Sequence, residues 1–294
     1  MPTFRLRRTP RKQAARTGGG AFFIAGPRLN LNRKCIDPLK VLCIGDVTSP
    51  GGIEHLHRDL WNFRRAHGID LCVVNGENAS LITGISPELA DKLFLAGADV
   101  ISGGNHTLRN KNAYSYLDDQ EAILRPLNFG DGAPGHGACI TDADGKRILV
   151  GCVMGTVHMD PVLDSPFDAV EKMLAEREGQ YDFALLDIHA EATGEKLALA
   201  HAFDGRFAAI FGTHTHVPTA DLQILPRGTG YVSDLGMCGE RGGILGMDAA
   251  CVIRRMRTRL PHRFSVAEGE CKADGVIFTW DENGKTVACE RVSF

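Results

Sequence analysis

No apolar run in this sequence reaches the 18 or so residues that a membrane-spanning helix needs, so it offers no helical span and no membrane partner is expected. Cys-x-x-Cys pairs are also missing. The nine cysteines are odd in number and scattered, and Cys43, Cys72 and Cys152 interrupt apolar runs, where cysteine behaves as a small buried hydrophobe. This pattern argues against a disulfide framework and for a reducing, cytoplasmic setting. There is no convincing Gly-x-Ser-x-Gly or Cys/His arrangement, so nothing points to a serine or cysteine nucleophile. No repeat of fixed period appears, and no low-complexity linker follows residue 40.

What is present suits a folded enzyme. Apolar residues make up 44% of the 294 and charged residues 23%, enough for a sizeable core in a chain of average globular composition. Without an internal linker, residues 40–294 read as one domain, preceded by a basic extension over 1–39. Residues 1–40 carry a balance of +9 and the remainder −12. An acidic body binds nucleic acid poorly, because phosphate neutralisation supplies most of that affinity. The arm reads as a solvated tail, and nucleic-acid binding by it is not expected. Its apolar segment, 21–25, is shorter than the core of a secretory signal. An organelle transit peptide, short of serine, or a start codon assigned too far upstream would share its composition.

From Lys40 onward short apolar runs alternate with polar, glycine-rich segments and with helical stretches such as Pro87–Ala96, which Ser86 caps with Pro87 in the first turn. The runs are 41–44, 71–74, 100–101, 148–153, 183–186 and 207–211. This alternation predicts an α/β fold with a largely parallel sheet. Asp144-Gly145 and Asn283-Gly284, each between two apolar stretches, predict hairpins, and therefore a mixed sheet or two packed sheets.

Five of these runs end in residues that bind metals. They lead to Asp46, to Glu77-Asn78, to Asn105-His106, to His189 and to His214-x-His216. In open α/β sheets sites form beyond the carboxyl ends of strands, so five strands deliver these residues to one edge. The i, i+2 spacing of His214 and His216 at a strand end predicts two imidazoles facing one pocket. Gly103-Gly104 allow close backbone approach. Asp46 alone would be an ordinary turn former, and His189 alone could be a surface residue bonded to Asp187 or Glu191. His55, His57, His67, His136, His201 and His262 lack ligand neighbours and read as structural; His158, in a loop after a strand, stays open.

Asp46, Glu77, Asn78, Asn105, His189, His214 and His216 exceed the four ligands of an ordinary zinc site. Two metals sharing a carboxylate account for the number, and mixed oxygen and imidazole donors suit iron, manganese or zinc. Such a pair can hold a hydroxide between the ions and clamp a phosphoryl group.

The ordered motifs Ile44-Gly45-Asp46, Asn75-Gly76-Glu77-Asn78-Ala79, Gly104-Asn105-His106-Thr107, Asp187-Ile188-His189-Ala190-Glu191 and Gly212-Thr213-His214-Thr215-His216, with Ser233-Asp234-Leu235-Gly236-Met237, resemble the calcineurin-like metallophosphoesterase superfamily. Within it they resemble the bacterial branch typified by the YmdB phosphodiesterases, over about residues 40–292. The superfamily's usual Asp-x-His reads Asp46-Val47-Thr48 here, and Glu77 stands where a bridging aspartate is usual. In this branch the residue after the glutamate fills the vacancy. The resemblance implies a layered αββα sandwich of mixed sheets, and a first metal held by Asp46, Glu77, Asn78 and His216. It implies a second held by Glu77, Asn105, His189 and His214, with His106 stabilising the phosphoryl group or protonating the leaving oxygen. It further implies iron or manganese ahead of zinc, and phosphodiester substrates that include cyclic nucleotides of the 2′,3′-cyclic AMP type. A homo-oligomer is compatible with it. Leu108-Arg109 stand where Trp-Asp is usual, His158 where an aromatic is usual, and Cys238 in place of threonine; each is expected at the substrate pocket. The competing readings are a phosphomonoesterase or nucleotidase, and a metal- and nucleotide-binding regulator with little turnover.

Overall fold

The computed structural model describes residues 38–80 and 84–294. The reading of the basic extension therefore concerns positions that, through residue 37, lie outside the described residues. In chain order the elements are β1 (Leu39–Ile44), β2 (Asp46–Val47), α1 (Pro50–His67), β3 (Leu71–Asn75), α2 (Pro87–Ala96), β4 (Val100–Ser102) and α3 (Tyr114–Asp119). There follow β5 (Ala138–Ala143), β6 (Lys146–Met154), α4 (Pro166–Glu176), β7 (Phe183–His189), α5 (Thr193–Ala202), β8 (Ala209–Thr213), β9 (Gln223–Ile224) and β10 (Gly230–Val232). The chain closes with β11 (Met237–Glu240), α6 (Ala249–Thr258), β12 (Cys271–Trp280) and β13 (Thr286–Ser293).

Local chemistry sets the helix limits. Ser49 accepts from Gly52 N at 3.0 Å at the start of α1, with Pro50 in the first turn, where its missing N–H costs nothing. Gly68, at φ 64°, ends that helix in the left-handed conformation that glycine adopts without strain. Ser86, Pro87 and Gly97 repeat the arrangement at α2, as the sequence predicts.

The strands form two mixed sheets. One has the order β2-β11-β12-β1-β3-β4, with β13 paired to β12; the other runs β5-β6-β7-β8-β10-β9. Along β1, Val41 and Cys43 point into an inter-sheet core with Val150, Leu185, Phe211 and the fully buried Phe278 and Trp280. Leu42 and Ile44 point the other way, onto Leu56, Leu60 and Leu93 of α1 and α2. Leu149, Leu186 and Ile188 likewise turn away from the first sheet, towards Val170 of α4 and Leu199 of α5. The layers are thus helix, sheet, sheet, helix. Burial of both sheet faces is why the strands read as continuous apolar runs rather than alternating ones.

Both predicted hairpins are present, as β5–β6 and β12–β13. The expectation of a single sheet edge needs correction. β1, β3 and β4 belong to one sheet, β7 and β8 to the other, so the five carboxyl ends meet across the rim of the sandwich. The run 183–186 also continues through Asp187 to His189. These polar residues stay in the strand because buried partners satisfy them, as described next.

Candidate metal centre

Each predicted residue leaves a strand end by a distinct route. Asp46 follows Gly45, whose position is forced by close approach: a Cβ there would lie 2.1 Å from Gly236 O. Glu77 follows β3 with its N–H bonded to Asn75 Oδ1 at 3.1 Å. Asn105 and His106 follow β4 after Gly103 and Gly104. A Cβ on Gly104 would stand 2.3 Å from His189 Nε2, so this glycine keeps open the space in front of that nitrogen.

The side chains converge in two groups that share one carboxylate. On one side, His216 Nε2 lies 3.8 Å from Asp46 Oδ1 and 3.2 Å from Asn78 Nδ2, and Asn78 Nδ2 lies 2.6 Å from Glu77 Oε1. On the other, His189 Nε2 lies 3.0 Å from Asn105 Oδ1, 3.1 Å from His214 Nδ1 and 3.4 Å from Glu77 Oε2. Glu77, His189 and His214 present ligand atoms all within 4.8 Å of one another. All seven predicted ligands therefore meet at the rim, and Glu77 belongs to both groups.

The proton inventory fixes the character of this cluster. Thr213 has one hydroxyl proton and donates it to Asp187 Oδ1 at 2.8 Å. It must then accept from His189 Nδ1, 2.9 Å away, which leaves Nε2 as a bare lone pair among the Asn105 and Glu77 oxygens. Acceptors turned on one another in a buried site call for a cation between them. Asp46 Oδ1 agrees, being buried with no hydrogen-bond partner. Asp46, Glu77, Asp187 and Asp234 are all buried here, beside one buried lysine, Lys196.

Electrostatics point the same way. Burial, and then repulsion from Glu77, push the Asp46 carboxyl well above its ordinary range. Burial alone would also raise Glu77, but His189 and His106 more than offset it and hold the group at about 2. Burial lowers His189 to about 3 and depresses His214 and His216 as well, so the imidazoles are neutral, the form that binds metals. Asp187 is pushed up to about 6 by burial, against hydrogen bonds from Ser102, Asn75 and Thr213.

Three expectations are corrected in detail. His214 and His216 do not share a strand face. β8 ends at Thr213, and both histidines adopt left-handed backbone, φ 99° and 62°, which turns them to opposite sides of the cluster. Asn78 turns Nδ2, not Oδ1, towards Glu77 and His216, while Oδ1 accepts from His106 Nδ1 at 2.6 Å. Ligation through Oδ1 requires the amide to rotate by half a turn, which exchanges two atoms of nearly equal position. Thr48, at the missing histidine, instead directs its hydroxyl to Cys238 O at 3.3 Å. Cys238 is fully buried in the core under α1 and α2, so it does not border a pocket. His158 is exposed, at φ 60°, on the loop leaving β6. The histidines read as structural include His55, bonded to Phe294 O, and His136, bonded to Asp118 O.

Sequence reasoning missed the groups beneath the histidine loop. Left-handed backbone at a non-glycine residue costs ~1–3 kcal/mol and persists only where surrounding contacts enforce it. Here Lys196 Nζ donates to Thr213 O at 2.7 Å and to Asp234 Oδ2 at 3.0 Å, and Asp234 Oδ2 accepts from Thr215 N at 3.0 Å. Asp46 Oδ2 accepts from His214 N at 3.0 Å. The available signal was Lys196 itself, a lysine three and four positions before Leu199 and Ala200 on the buried face of α5. Replacing Lys196 by methionine leaves Asp234 buried without its cation and is expected to cost about 3–5 kcal/mol. Urea unfolding of the metal-free protein measures this; a loss below about 1 kcal/mol would show that the pair does not hold the loop.

Comparisons with known proteins identify the family. The family model described as "YmdB-like protein" matches residues 42–292. The chain is 40% identical over 255 residues to a 2′,3′-cyclic-nucleotide 2′-phosphodiesterase of Bacillus subtilis, covering 86% of this chain and 96% of the relative. Among solved structures, a hypothetical protein from Thermus thermophilus superposes with a TM-score of 0.80 at 38% identity, covering 87% of this chain and 99% of that one. A novel phosphatase from Mycoplasma pneumoniae superposes with a TM-score of 0.81 at 31% identity, covering 88% and 94%.

Proposed function

The chain belongs to the YmdB-like family, and on that footing we propose that it is a phosphodiesterase dependent on two divalent metal ions, acting on cyclic nucleotides of the 2′,3′ type. The observation that carries this reading is Glu77, a buried carboxylate that contacts both ligand groups at once. Asp46, Glu77, Asn78 and His216 would hold one ion, and Glu77, Asn105, His189 and His214 the other. Iron or manganese suits these mixed oxygen and imidazole donors. When bound, such a pair supplies Lewis acidity at the phosphoryl group and lowers the pKa of water from 15.7 to about 7.

The chain's own residues do the rest. The Asp187–Thr213 relay holds His189 in the tautomer whose Nε2 is a lone pair. His106 is oriented from two sides: its backbone N–H donates to Glu77 Oε2 at 2.9 Å, and its Nδ1 meets Asn78 Oδ1. The half-turn that makes Asn78 an oxygen ligand has a second effect. It sets Nδ2 against His106 Nδ1, so Nδ1 must accept and the ring proton resides on Nε2. That N–H can donate a hydrogen bond to the phosphoryl group or to the leaving ribose oxygen as charge develops there when a P–O bond breaks.

The preference for diesters is open to direct test. Turnover of bis-p-nitrophenyl phosphate and of 2′,3′-cyclic AMP is expected to exceed that of p-nitrophenyl phosphate. A preference for the monoester would replace this reading with a phosphomonoesterase, and an absence of turnover with iron or manganese would favour a regulatory binder.

A further inference from the structure

Beyond β11 the chain passes the metal cluster and then enters α6. The backbone of Leu245 lies against the His216 ring, and a Cβ at Gly246 would stand 2.7 Å from Thr48 Oγ1. Asp248 then caps α6, accepting from Cys251 N at 2.8 Å. α6 (Ala249–Thr258) starts three residues beyond Gly246 and has 10 residues, about 15 Å at the helical rise.

This helix has the opposite character to the rest of the body. Residues 249–264 contain Arg254, Arg255, Arg257, Arg259 and Arg263 and no carboxylate, on a body that is otherwise acidic. All five are exposed, and among the described residues none forms a salt bridge. Such a face attracts polyanions. It also contains a recess of about 220 Å³ lined by the apolar Val252, Met256 and Phe264 and by Arg255 and Arg259. The Arg255 guanidinium stacks 4.6 Å over the Phe264 ring. A planar cation on an aromatic ring is a platform for a nucleobase, and guanidinium groups pair with phosphates.

We infer that this recess holds an upstream nucleotide of a single-stranded RNA whose 3′-terminal 2′,3′-cyclic phosphate is the substrate of the metal cluster. The inference rests on the phosphodiesterase reading for the end group, and on α6 for the strand. Hydrolysis adds water across the P–O2′ bond and leaves a 3′-phosphomonoester and a 2′-hydroxyl, without cutting the chain. Ile253, Met256 and Leu260 are exposed at 44%, 64% and 61%, and such a stripe beside arginines would also suit an anionic bilayer. A flat bilayer, however, makes no use of a recess with an arginine–aromatic stack. A second copy packed on the same face would bring five further arginines against these five.

The test compares 2′,3′-cyclic AMP with an eight-nucleotide RNA ending in a 2′,3′-cyclic phosphate, using the wild type and the double variant Arg255→Glu/Arg259→Glu. In the wild type kcat/KM for the oligomer is expected to exceed that for the mononucleotide by about tenfold, the scale of one stacked base. In the double variant that ratio falls to about one. A wild-type ratio of one, or a ratio that the substitutions leave intact, overturns the inference. Binding is read separately, by fluorescence anisotropy of an RNA that ends in a 3′-phosphate and does not turn over. Loss of two phosphate contacts is expected to reduce the salt dependence of its log Kd by ~1.4. If the substitutions abolish binding to phosphatidylserine vesicles, or dissociate an oligomer, while RNA binding persists, α6 is a membrane or self-association face and the inference fails. If neither substrate is hydrolysed but RNA binding requires Arg255 and Arg259, the strand site stands and the phosphodiesterase reading is what fails.

Discussion

Glu77→Gln is expected to strip the protein of bound metal and to lower turnover by at least about 10³-fold, the upper range for removing one principal electrostatic group. The side chain is fully buried, and its two oxygens face different partners, Asn78 on one side and His189 and the His106 backbone on the other. Glutamine keeps the volume and one carbonyl oxygen but removes the charge that both ligand groups share. In the metal-free protein the change removes a charge that helps push Asp46 up, but also the carboxylate that accepts from Asn78 Nδ2 and His106 N, so the metal-free Tm is not the readout. The signature is loss of the rise in Tm on adding manganese. A variant that keeps that rise would show that Glu77 is not the shared ligand.

His106→Ala should do the reverse, keeping the metal and losing turnover by about 10²–10⁴-fold, the usual contribution of a positioned acid or base. His106 contacts Asn78 and Glu77 but stands at the outer edge of the cluster, with 15% of its side chain exposed against 0% for Glu77. Its Nδ1 is engaged by Asn78, which leaves Nε2 to meet a substrate. The loss should be smaller for a diester whose leaving group is p-nitrophenolate, which departs without a proton, than for 2′,3′-cyclic AMP, whose ribose oxygen needs one. An equal loss on both would assign His106 to stabilising the phosphoryl group instead.

Much of this site was legible because the sequence places at least one potential ligand after each of five strands, and because strand ends are where α/β folds keep their chemistry. The vacancy at Thr48 was legible too, and its hydroxyl indeed turns away to a β11 carbonyl. Two kinds of information were not. The partition of the strands between two sheets depends on pairings distant in sequence, such as β1 with β12, which no local pattern encodes. The convergence of His214 and His216 depends on left-handed backbone enforced from below by Lys196 and Asp234. The i, i+2 spacing therefore picked out two residues that do converge on the cluster, but for the wrong geometric reason. Asp187 shows the same limit. It looked like a surface partner for His189, yet it is buried and acts on that ring through Thr213.

The most direct test of the proposed dinuclear centre is elemental analysis of the protein purified without oxygen, combined with titration of the metal-free form by manganese. The account predicts about two equivalents of iron or manganese per chain, with Glu77→Gln losing both together. A single equivalent retained by the wild type, or a Glu77→Gln protein that still holds two, would contradict it.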